Sequence, residues 1–100
     1  MEALKLVLKK KWFDMIASGE KTEEYRDITD YWAKRISGKG FKYVTFYLGY
    51  AKNRPSMTFE IRTPVIGYGI PKWGAELGKK YFVLRLGSRI ENYGNKEIHN

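Results

Sequence analysis

Between Met57 and Thr63 the side chains alternate without a break, with Met57, Phe59 and Ile61 on one side and Thr58, Glu60 and Arg62 on the other. A period of two marks a half-buried β-strand, because successive side chains of a strand point to opposite faces. The pattern returns in Leu4–Lys9 and in Lys79–Leu86, where Phe82, Leu84 and Leu86 face one way. Tyr43–Tyr50 is dense in β-branched and aromatic residues and also reads as a strand. Pro64 interrupts the 57–63 run, so Val65–Tyr68 is expected to continue it after a bend or bulge. A chain of 100 residues has room for one core, and the fold is read as a single domain over 1–100.

Two segments change period. From Lys10, residues Trp12, Phe13 and Ile16 share a helical face, and Gly19 stands where a helix end favours positive φ. Lys21–Asp27 looks extended. Thr29 is then placed to cap a second short helix with Trp32, Ala33 and Ile36 facing inward, stopped by Gly38. Trp12, Phe13 and Trp32 are assigned to the core on this spacing. Gly69–Gly78 reads as a structured loop, and the polar tail from Gly87 as a short edge strand that then frays. The sum is an α+β fold: a small, strongly curved mixed sheet or barrel of five to six strands, with two short helices near the N-terminus. Closure of such a sheet would remove its exposed edges.

Composition narrows the chemistry. Cysteine is absent, which excludes disulfides, zinc ribbons and thiol catalysis, and the single histidine is His99. A histidine metal site or a serine triad is therefore not expected, and neither a metal nor a cofactor is assigned. No apolar run approaches the roughly 18 residues a membrane helix needs. Residues 1–8 lack the apolar block of a signal peptide, so no membrane partner and a cytoplasmic location are the expectation. Net charge is +8, with a sequence pI near 9.7, and the excess is dispersed along the chain rather than gathered in a tail. Such a field attracts phosphate backbones.

The densest cluster of chemistry is Gly19-Glu20-Lys21-Thr22-Glu23-Glu24-Tyr25-Arg26. In an extended segment Thr22, Glu24 and Arg26 project from one face, and Lys21, Glu23 and Tyr25 from the other. Lys21, beside the glycine turn, is expected to lean over a cleft edge. Glu24 and Arg26 can hold each other, leaving the guanidinium fork for a planar or phosphate partner. The plainer reading is an ion pair on a solvated strand. Elsewhere, Tyr43 and Tyr47 share a strand face, and aromatics interleaved with Lys42, Lys52 and Arg54 resemble a stacking platform beside a basic rim. Ordinary packing of Tyr43, Tyr47, Tyr50 and Tyr68 is the alternative.

Residues 19–26 resemble the ASCH (activating signal cointegrator homology) family, whose pattern G-x-K-T-x-E-x-R is matched by Gly19, Lys21, Thr22, Glu24 and Arg26. The order strand, Trp12-bearing helix, glycine and extended segment is similar too. The resemblance implies a PUA-like barrel and an RNA-binding or modified-nucleoside-binding module. Its cleft would use Gly19, Lys21, Thr22, Glu24 and Arg26, with Tyr47, Lys52 and Arg54 added from the residue reading. RNA or a nucleoside would be the partner, and a monomer the expected state. It also implies an alternative. Some members are amidohydrolases acting on N4-acetylcytidine, with the motif lysine, a threonine three residues on and a distant glutamate. One member is reported as a ribonuclease. Here Lys21 matches and Glu24 stands at the threonine position, so catalytic roles fall to Lys21 and Glu24 only if the protein is an enzyme. Glu24, Glu60 and Glu76 are then the candidate proton carriers.

Overall fold

The alternating segments become strands in the computed structural model, which describes residues 2–91. Strand β1 spans Leu4–Leu8 and buries Leu4, Leu6 and Leu8. Helix α1, Lys10–Ala17, presents Phe13 and Ile16 to the core. Strand β2 is Glu23–Asp27 and helix α2 is Asp30–Ile36. Thr29 caps α2 by accepting a hydrogen bond from the Trp32 amide at 3.2 Å, with Asp30 in the first turn and Lys34 and Arg35 in the last. Both charge placements favour the helix dipole. Strands β3 (Tyr43–Leu48), β4 (Ser56–Ile61) and β5 (Val65–Tyr68) follow, then a 3₁₀ turn at Pro71–Trp73 and β6, Lys80–Arg89.

The strands form one curled mixed sheet in the order β1-β3-β4-β6-β2, with β5 also on β6. β1 runs parallel to β3, placing Leu6 opposite Phe46. The other pairs are antiparallel. β6, ten residues long, bends the sheet. Its residues 80–85 pair with β2 and β5, while Leu86 and Arg89 pair with β4 across a register shift between Phe59 and Ile61. Such bulges increase local twist and allow curling. The strand expected over Lys79–Leu86 thus continues to Arg89, and the 57–63 run does resume after Pro64 as β5. His99 and the end of the tail lie outside the described residues.

Inside the curl, Leu4, Leu6, Leu8, Val44, Phe46, Met57, Phe59, Phe82 and Leu84 meet Phe13, Ile16 and Ile36 of the helices. A second, smaller cluster joins Tyr25, Tyr81, Val83 and Ala75, with Trp73 against it. Two expectations are corrected. Trp12 is half-buried and does not join the main core, and Trp32 only packs on its margin. The curled sheet itself is a half-barrel. Among the described residues β1 and β2 do not pair, so the two end strands leave a seam. Side chains bridge it instead, with Arg26 Nη2 donating to the Val7 carbonyl at 3.3 Å. Among the described residues no helix is long and apolar enough to cross a membrane.

Candidate functional site

The site grows from the turn after α1. Gly19 adopts φ +86°, a conformation a side chain resists. The Lys21 amide then donates to the Met15 carbonyl at 3.0 Å, folding the chain back under the helix. Lys21 precedes β2 and is free of its pleat, so its side chain turns inward and is 2% exposed. The expected division of faces therefore fails. Lys21 shares the interior with Glu24, while Thr22 is exposed and offers its carbonyl to the Leu86 amide at 3.0 Å.

The Lys21 ammonium lies 3.0 Å from Glu24 Oε1 and donates to the Trp73 carbonyl at 2.8 Å. The rings of Trp12 and Tyr25 each face it at 5.0 Å. Burial lowers the Lys21 pKa from its usual value, and Glu24 opposes the shift. Glu24 Oε2 receives Arg26 Nη1, which also donates to the Tyr25 carbonyl at 3.0 Å. The Arg26 guanidinium stands 5.2 Å from the Trp32 ring. Both oxygens of Glu24 are thus occupied by cations, and the chain Lys21–Glu24–Arg26 carries one net positive charge.

Above this chain the seam holds a cavity of about 740 Å³, within the size range of small-ligand sites. Glu24 and Arg26 line its depth, and Trp12, Trp32 and Tyr31 supply aromatic surface. Tyr31 packs edge-on to Trp32 with centroids 4.9 Å apart, and Arg35 stacks on Tyr31 at 3.6 Å. Lys5, Lys9 and Lys79 add positive charge. Of the lining carboxylates, Glu24 is bound by Lys21 and Arg26, and Asp27 lies 3.2 Å from Lys79. The remaining one is Glu76, on the loop that follows β5.

Two tyrosines tie that loop to the site. The Tyr25 hydroxyl accepts from the Ile70 amide at 2.9 Å and donates to Glu23 at 2.8 Å; the Tyr81 hydroxyl accepts from the Glu76 amide at 2.8 Å. Burial pushes the Tyr25 pKa well up from its ordinary value. Gly69 passes so near that a Cβ there would lie 2.5 Å from the Ala75 Cβ and 2.8 Å from the Tyr25 ring.

The chain matches no family model, no curated protein and no solved structure. Its chemistry therefore rests on its own residues. Of those singled out in the sequence, Glu24 and Arg26 line the cavity and Lys21 lies behind them. Gly19 makes the turn without reaching it. Tyr47, Lys52 and Arg54 lie elsewhere; Arg54 stacks on Tyr47 at 4.2 Å and donates to the Gly49 carbonyl at 3.3 Å. Tyr50, which is 83% exposed, does reach the cavity. Glu60 sits on β4 opposite Tyr43, away from the cavity. Sequence reasoning missed Tyr31, Arg35, Lys5, Lys9 and Lys79, and it placed Trp12 and Trp32 in the core. The one available signal was Tyr31–Arg35, an aromatic and a cation one helical turn apart. Among the described residues no group of three metal-ligating side chains is present.

Proposed function

We propose that this protein is an RNA-binding or modified-nucleoside-binding module of the PUA-like, ASCH type, with its ligand held in the β1–β2 seam. One observation carries the reading. A cavity large enough to admit a nucleoside combines exposed aromatic surface with an inward-facing guanidinium and cationic margins. A nucleobase has a π-face for Tyr31 and Trp32, and base–aromatic stacking is tolerant of sequence. Phosphates or a base edge suit the Arg26 N–H donors that Glu24, Tyr25 and Val7 leave over, since a guanidinium carries five donors in one plane. The match of Gly19, Lys21, Thr22, Glu24 and Arg26 to the ASCH pattern and the net charge of +8 support the same ligand class. The test is calorimetric titration of the purified protein with cytidine, N4-acetylcytidine and a mixed-sequence RNA, beside a Tyr31→Ala variant. Binding that this variant loses supports the reading; the absence of binding to every probe at low salt overturns it.

The amidohydrolase alternative is less well served. The Lys21 ammonium is held by Glu24 and the Trp73 carbonyl and shielded from solvent, and each oxygen of Glu24 already accepts from a cation. Glu76, exposed and lining the cavity, is the carboxylate best placed for proton transfer. Acetate release from N4-acetylcytidine, lost in Glu76→Gln with binding retained, would establish turnover.

A further inference from the structure

Beyond the seam, β5 is paired on one edge only among the described residues. Its partner is β6, and among the described residues the backbone of Val65–Tyr68 makes no bond outside that pairing. β4 and β5 lie along the same side of β6, because the chain bends at Pro64 and continues. Next to β4 runs β3, beginning at Tyr43, with the Lys42 carbonyl accepting from the Ile61 amide at 3.0 Å. Among the described residues no strand lies along the second edge of β5. A notch of about 810 Å³ lies there, between the 36–42 segment and the 61–66 bend. Its surface is mainly apolar, from Ile36, Phe41, Ile61, Pro64 and Val65, and Ile66 is 58% exposed at its border. Its charged residues are Lys42 and Arg62, with no carboxylate. It shares no lining residue with the seam cavity.

We propose that the unpaired β5 edge and this notch dock an extended, acid-flanked peptide segment of a partner protein, taken up as an added strand. An unpaired edge offers main-chain donors and acceptors, and pockets beside it select alternate side chains. The two cations favour carboxylates at the segment's flanks. A second copy fits poorly, since each chain carries +8 and would bring the same lysine and arginine into the contact. RNA fits less well, since of the two lining aromatic rings Phe82 is buried and Phe41 only partly exposed, whereas Tyr31 at the seam is 54% exposed.

The experiment uses fluorescent octapeptides that alternate valine and threonine, flanked by glutamates, lysines or serines, read by anisotropy at moderate salt. The glutamate-flanked peptide should bind best. Ile66→Glu should weaken it about tenfold, and Arg62→Glu, which leaves Lys42 opposite a carboxylate, should remove most of the preference for the glutamate-flanked peptide. Both side chains are exposed, and unchanged melting confirms that the fold survives. RNA retention at the seam should be unaffected by Ile66→Glu. Equal binding of all three peptides, no binding of any, or Ile66→Glu converting a sedimenting dimer to monomer each overturns the proposal. So does loss of RNA retention in Arg62→Glu without any change in peptide affinity.

Discussion

The Lys21 ammonium and the Glu24 carboxylate sit 3.0 Å apart, three residues separated in the chain and both withdrawn from solvent. Residues three apart in a strand point to opposite faces. This pair meets because Lys21 lies in the turn before β2 and Glu24 within it. Buried charge is costly unless compensated, and here the compensation is nearly complete: Arg26 on the second oxygen, the Trp73 carbonyl and two rings on the ammonium.

Removing Lys21 should therefore act on the fold first. Lys21→Met leaves Glu24 buried with one of its two cations and is expected to cost about 3 kcal/mol. That corresponds to a fall in melting temperature of more than about 10 °C for a domain of this size. Adding Glu24→Gln should recover part of the loss, since the amide oxygen still accepts from Arg26. Melting followed by circular dichroism checks both; an unshifted Lys21→Met transition would show that the pair contributes nothing.

Arg26→Lys separates charge from shape. Lysine cannot serve Glu24, the Tyr25 carbonyl and the Val7 carbonyl at once, so the bridge across the seam is lost. A destabilisation of about 1–2 kcal/mol is expected, together with weaker nucleoside or RNA binding. Ligand titration beside melting reads the two effects. Intact affinity at a lowered melting temperature would make Arg26 a fold residue only.

Tyr31 is 54% exposed, so its removal should spare the core. Tyr31→Ala is expected to leave the melting temperature within about 2 °C and to weaken RNA or nucleoside binding by about 1–3 kcal/mol, the range for one lost base stack. Unchanged affinity would place the ligand elsewhere.

Salt provides a test that needs no variant. If three or four phosphates of a single strand are neutralised, log K against log salt should slope near −2 to −3, on the order of −0.7 per phosphate. A flat profile of RNA retention would remove the backbone from the contact.

Alkaline pH reports on Tyr25. Its pKa is raised in the folded state by burial, so the unfolded chain releases this proton first as pH passes 10.0. Above that value the folded state binds more protons than the unfolded one, and stability falls with rising pH. The lowered Lys21 pKa acts in the opposite sense below 10.5, where the unfolded chain holds the proton more tightly. Melting curves from pH 8 to 11 should fall less steeply above pH 10 for Tyr25→Phe than for the unaltered protein. Parallel curves would show that the Tyr25 proton is not linked to folding.

Gly69→Ala is expected to destabilise, because its Cβ has to displace Ala75 or the Tyr25 ring. The loss should appear as reduced melting temperature and faster amide exchange over 69–79.

Period and punctuation made the elements legible. Alternating leucines mark β1, the alternation from Met57 marks β4, Thr29 marks the start of α2, and Pro64 divides β4 from β5, because strand pleat, helix capping and the proline ring act over a few residues. Glu24 and Arg26 were legible as a pair for the same reason. What local pattern does not contain is which distant surfaces meet. Trp12 and Trp32 have helical spacing suited to a core, yet the uncovered seam between β1 and β2 turns them toward a cavity. Lys21 looked like a cleft-edge cation, and only the return of the 69–79 loop, carrying the Trp73 carbonyl across 52 residues, makes a buried ammonium tolerable there. Tyr47 and Arg54 had the composition of a binding rim, but the β3–β4 turn closes them on each other. Burial of a charge, and the ligand surface left beside it, are decided by contacts between segments far apart in the chain, since only such contacts can replace the water a charged group gives up.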